Sequence, residues 1–136
     1  MAGETLLLDT NVLLAATLDP VRLPVTVRRQ ISDPNREILF SAASIWEIAI
    51  KRSLQRDGFD FQPEDIHALA LETGFSELPV LSVHCPGVAR LPWHHRDPFD
   101  RLLVAQARAI PAYLLTTDAL LSTYSELVRV VTLSAS

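Results

Sequence analysis

Lysine is almost missing from this sequence: of twelve Lys and Arg residues only Lys51 is a lysine, so eleven cations are arginines. Arginine is the cation whose planar fork best matches carboxylate and phosphate. Positive charge is also in deficit, with twelve cations against sixteen acids and a formal net charge of −4. That balance excludes a protein that coats nucleic acid with a basic surface. A single cysteine, Cys85, excludes an internal disulfide and any thiolate metal cluster and suits a reducing compartment. Only four glycines occur, at positions 3, 58, 74 and 87, too scattered for a Gly-rich phosphate loop, which excludes nucleotide binding of the P-loop or dinucleotide type. Apolar runs such as 12–18 fall short of the roughly 18 residues needed to cross a membrane. The start of the chain lacks the basic and apolar regions of a signal peptide. The expectation is a cytoplasmic protein without a membrane segment.

What remains is an apolar chain of 136 residues, 49% hydrophobic, with a mean hydropathy of +0.21. Such a composition is that of one folded domain over 1–136. Short apolar runs at 5–8, 37–40, 79–83, 112–116 and 127–133 read as strands. Between them, helical patterns cover 12–18, 23–31, 42–56, 63–73 and 97–110, 84–91 reads as a short helix or turn, and Asp57-Gly58 is a turn signal. In the segment from 97, Asp97-Pro98 supplies an acidic cap followed by proline at the first helical position. A stripe of Phe99, Leu102, Leu103, Gln106 and Ile110 would face inward. Strands alternating with helices predict an α/β fold, a three-layer α/β/α sandwich around a mainly parallel sheet.

In open α/β sheets ligands bind beyond the carboxyl ends of the strands. Asp9 ends the first strand, Glu47 lies in the helix after the second, Asp100 begins the helix before the fourth, and Asp118 follows that strand. Each acid has an ordinary structural explanation. Asp9 and Asp118 suit N-caps, Ser44 to Glu47 has capping-box spacing, and Glu47 with Lys51 fits an i, i+4 ion pair. Four acids at every relevant junction exceed what capping requires. Clustered carboxylates need a compensating cation or raised pKa values, and oxygen-only ligands suit Mg²⁺ or Mn²⁺. An ion so held can activate water and stabilise a phosphate oxyanion, as in a metal-dependent nuclease.

Four segments carry a family resemblance: Leu6-Leu7-Leu8-Asp9-Thr10-Asn11-Val12-Leu13-Leu14, Ser44-Ile45-Trp46-Glu47-Ile48, Arg96-Asp97-Pro98-Phe99-Asp100-Arg101-Leu102-Leu103-Val104-Ala105-Gln106-Ala107, and Leu115-Thr116-Thr117-Asp118. In this order the chain resembles PIN-domain ribonucleases, specifically the VapC-like toxins of VapBC toxin–antitoxin pairs. The resemblance implies one or two Mg²⁺ or Mn²⁺ ions bound by the catalytic acids Asp9, Glu47, Asp100 and Asp118, and hydrolysis of RNA phosphodiesters by activated water. It further implies hydrogen-bonding support from Asn11 and Thr116, an antitoxin that blocks the acidic cleft, and a homodimer. Asp97 reads as ligand or helix cap, the following proline favouring the cap.

Arg96 and Arg101 flank the acids and could hold RNA phosphates, or could be surface charge and carboxylate partners. Trp93, beside His94 and His95, could stack on an unpaired base or simply pack. Phe59-Asp60-Phe61 could present an aromatic surface to a partner. Two other functions compete. A haloacid-dehalogenase-like phosphatase would need a second carboxylate at position 11, where Asn11 stands. A catalytically inactive RNA- or protein-binding module would not need all four acids.

Overall fold

A computed structural model describes residues 4–57 and 60–135, so Gly58 of the expected turn and Phe59 of the expected aromatic surface lie outside the described residues. Five strands, β1 (Leu6–Leu8), β2 (Ile38–Ser41), β3 (Ser76–Leu78), β4 (Tyr113–Thr116) and β5 (Val128–Val130), form one sheet. Their order is β3-β2-β1-β4-β5, and every neighbouring pair is parallel. Central β1 consists of three fully buried leucines. Leu6 and Leu8 pack with Ile38, Phe40 and Leu115 under α1 (Thr10–Leu18), α2 (Val25–Ile31), α3 (Ala42–Ser53) and α4 (Pro63–Thr73). Leu7 packs on the opposite face with Leu39 and Leu114, under α6 (Pro98–Ala109) and the 3-10 turn that holds Leu121. Both faces are covered, which is why β1 reads as an unbroken apolar run and not an alternation. The architecture is the expected α/β/α sandwich.

Local chemistry adjusts several boundaries. Helix α1 starts at Thr10 because the Asp9 carboxylate accepts the Val12 amide. Helix α2 waits until Val25, since Pro24 occupies its cap position. Gly74 closes α4 at φ +102°, the left-handed geometry that glycine adopts without a Cβ penalty. The strand expected at 79–83 is instead β3 at Ser76–Leu78. Pro79 has no amide to give a ladder, and 82–84 coil into a 3-10 turn before the short helix α5 (Cys85–Ala89). On α6 the buried face carries Arg101, Leu103, Val104 and Gln106, while Phe99 and Leu102 are only half-buried.

From β1 the chain moves outward to β2 and β3 on one side, then returns to place β4 and β5 on the other. The carboxyl ends of β1 and β4 therefore flank the topological switch point, the place where such sheets open a crevice. No helix among the described residues is long and apolar enough to cross a membrane. Leu8, wholly buried at the end of the central strand, tests the core directly. Leu8→Ala should lower the unfolding free energy by about 3 kcal/mol in a urea titration, and a loss below about 1 kcal/mol would contradict this packing.

Candidate active site

The crevice at the switch point is a small acidic cavity of about 100 Å³ lined by Asp9, Thr10, Asn11, Glu47, Lys51, Asp97, Asp100, Thr117 and Asp118. The four predicted acids thus converge, with Asn11 and Asp97 beside them. Asp9 is buried; one carboxylate oxygen caps α1 and the other accepts the Thr117 amide at 3.1 Å. It thereby ties the end of β1 to the loop after β4. Burial pushes its pKa up, and the nearby Glu47 adds to that, while the Thr116 hydroxyl and the two amides oppose it.

Glu47 arrives from the other side. The expected capping box is absent, because α3 begins earlier, with Ser41 accepting the Ala43 amide. Ser44 and Glu47 instead turn toward α1. The Thr10 hydroxyl lies 2.6 Å from Glu47 Oε1 and 3.0 Å from Ser44 Oγ. Lys51 Nζ donates to Glu47 Oε2 at 2.6 Å, so the ion pair expected from spacing is present and the carboxylate still lines the cavity. An edge-to-face contact of Trp46 with Phe99, centroids 5.2 Å apart, joins α3 to the start of α6 and brings Glu47 toward Asp100.

Asp97 caps α6, accepting the amides of Phe99 at 2.9 Å and Asp100 at 3.4 Å. One turn on, Asp100 has no such supply of donors. Burial raises its pKa to about 7, reinforced by Asp97, Asp9 and Glu47 and opposed by His95. Asp118 caps the 3-10 turn Ala119–Thr123 through Oδ1 and faces His95 through Oδ2, at 2.6 Å from Nε2. Thr116 is wholly buried and its hydroxyl accepts the Asp118 amide at 3.0 Å. Asn11 is exposed; its amide donates to Thr117 Oγ1 at 3.1 Å, linking α1 to the loop after β4.

Residues 6–127 match the PIN domain. The chain belongs to the PIN-domain family. No curated protein matches it significantly. Among solved structures, this PIN domain is similar to VapBC2 from Rickettsia felis bound to a DNA fragment from their promoter: TM-score 0.69, 15% identity, over 93% of this chain and 98% of that one. It is also similar to a domain of a functionally unknown protein from Methanocaldococcus jannaschii, with TM-score 0.57 and 13% identity over 89% of this chain and 83% of that one. At such identities these likenesses establish the shared fold.

The proposed phosphate grips divide. Arg96 and Trp93 are exposed on the loop before α6 and do not line the acidic cavity. Arg101 must be corrected: only 2% exposed, it is an internal strut and not a surface grip. Its Nη1 donates to Pro92 O, His95 O and Tyr124 Oη, and its Nη2 to Val88 O and Leu91 O. The guanidinium also lies 4.0 Å from the centroid of the Trp93 ring, which covers it. Sequence reasoning left Thr10 without a role and read His95 only as part of a loop that could stack on a base. Thr10 sits inside the recognised Asp9-Thr10-Asn11 segment, whereas no spacing marks His95 as a neighbour of Asp118, 23 residues away.

Asp100 makes the stability of this PIN domain depend on pH. Its native pKa of about 7 lies above the reference value of 3.8, so the folded chain holds the proton more tightly than the unfolded one. The contribution of this carboxyl to stability is therefore most favourable at low pH and declines as pH rises through this window to about 7. In thermal unfolding with chelator present, Asp100→Asn should be more stable than the parent near about pH 8, with the gap narrowing toward about pH 5. A gap that widens on acidification would contradict the assignment.

Proposed function

We propose that this PIN domain is a Mg²⁺- or Mn²⁺-dependent endoribonuclease, and the VapC-like toxin of a toxin–antitoxin pair. The observation that carries the reading is the convergence of Asp9, Glu47, Asp100 and Asp118 on one cavity, in which burial and three neighbouring acids push Asp100 to about pKa 7 against the opposing effect of His95. The donor set fits a hard divalent ion: carboxylate oxygens in a recess about the size of an ion with a few waters. Asp9, Glu47, Asp100 and Asp118 would hold one or two such ions. A bound divalent ion there supplies activated water and a counter-charge for the phosphoryl oxygen.

The chain's own residues prepare that chemistry. Asp9 is fixed by two backbone amides, so its free lone pairs keep one direction. Lys51 offsets part of the charge of Glu47, which reduces but does not remove the repulsion that Glu47 adds at Asp9 and Asp100. A larger hollow of about 510 Å³ adjoins the acidic one, shares Asn11 and Thr117 with it and is bordered by Leu14, Phe61 and Arg22. That hollow gives room for a nucleotide next to the acids. Phosphodiester hydrolysis is favoured over haloacid-dehalogenase-like chemistry, because Asn11 is committed to Thr117 and offers no second carboxylate. An inactive binding module is disfavoured by the completeness of the acid set.

The likeness to VapBC2 supports the toxin role; the proposal further takes an antitoxin as the partner, RNA as the substrate and a homodimer as the working assembly. Asp9→Asn should reduce Mn²⁺-dependent cleavage of single-stranded RNA by about two orders of magnitude or more, while circular dichroism shows a retained fold. Cleavage equal to that of the parent would overturn the site. For the toxin role, expression of the chain alone should arrest growth, and co-expression of the adjacent small reading frame should restore it. Growth unaffected by an active nuclease would overturn that role.

A further inference from the structure

His95 has every polar atom engaged. Its amide donates to Tyr124 Oη at 2.8 Å, and its carbonyl accepts from Arg101 Nη1 at 3.4 Å. Its ring Nδ1 accepts the Asp97 amide at 3.0 Å. A backbone N–H has nothing to offer a protonated Nδ1, so this bond places the proton of the neutral ring on Nε2. That Nε2–H lies 2.6 Å from Asp118 Oδ2 and 3.6 Å from Asp100 Oδ2. The three side chains could collectively surround a cation. With Nδ1 already accepting, however, His95 could ligate an ion only by giving up the Nε2 proton and its bond to Asp118. The ring is therefore built to hold a carboxylate and not to hold the ion.

We infer that His95 is a positioning residue: its Nε2–H fixes the orientation of Asp118 across the cavity from Asp100, and cation binding depends on that orientation. Oδ1 of Asp118 is held by the Leu120 amide, so the two bonds together leave the carboxylate one orientation. Arg101 and Tyr124 extend the support, because they anchor the backbone on both sides of the ring. Partners of this kind, one bond removed from a ligand, strengthen metal affinity about 10- to 100-fold.

The inference rests on reading the acidic cavity as a cation site, and two variants separate it from a purely structural role. His95→Gln keeps an N–H at the reach of Nε2 and loses the Nδ1 acceptor. His95→Asn keeps an acceptor near Nδ1 and loses the reach to Asp118. Calorimetric titration of the full chain with Mn²⁺ alone, without RNA, should show His95→Gln binding close to the parent and His95→Asn at least about tenfold weaker. Thermal unfolding in chelator confirms that both variants are folded. Equal affinity for all three proteins, tighter binding by His95→Asn, or the reverse order would overturn the inference while leaving the cation site standing. A parent chain that binds no Mn²⁺ would overturn the cation site, and this inference with it.

Discussion

Crowding of carboxylates at the end of a parallel sheet is the constraint around which this molecule is arranged. A buried acid must be matched by a cation, by hydrogen-bond donors or by a proton. Each solution is present within one small cavity. Asp9 takes two backbone amides, Glu47 takes Lys51 and the Thr10 hydroxyl, and Asp118 takes an amide and His95. Asp100, with only the His95 ring nearby at 3.6 Å, is pushed furthest toward the proton, to a pKa of about 7, and burial raises Asp9 as well. The fold thus fixes three acids by hydrogen bonds and leaves a deficit of positive charge around Asp9 and Asp100.

Arg101 is the complementary element. A buried guanidinium with four carbonyl acceptors and a phenol oxygen fastens the end of α5 and the loop up to residue 95 to α6. An arginine with its donors so fully used is a rigid bracket, since moving it would leave several donors unpaired. The same bracket sets the backbone of His95 beside the helix that carries Asp97 and Asp100. The position of the imidazole over Asp118 therefore depends on a residue that never enters the cavity.

Much of this was legible in the chain. The all-leucine run before Asp9 announced a central buried strand, and Asp97-Pro98 announced the start of α6. The four acids at strand and helix junctions announced an acidic cavity, and the i, i+4 spacing announced the Glu47–Lys51 pair. Strand β3 was not legible, because its three residues lie at the exposed edge of the sheet and carry no apolar pattern. The capping-box spacing of Ser44 and Glu47 was coincidental, because the helix begins at Ala42 with Ser41 as its cap. Arg101 looked like a surface cation, since periodicity records where apolar residues fall and says nothing about a charge that is paired inside.

The sequence by itself determined the class of fold, the family and the identity of the acids, because these follow from residue types at short spacings along single elements. Tertiary structure decided which donors meet which carboxylate. Thr10 reaches Glu47 across 37 positions, and Thr117 reaches Asp9 across 108. His95 reaches Asp118 across 23, with Arg101 and Tyr124 closing the arrangement. Such pairings arise from strand order and crossover geometry and leave no local mark. Charge compensation in a buried site is a property of three-dimensional neighbours, and only the packed sheet and its covering helices supply them.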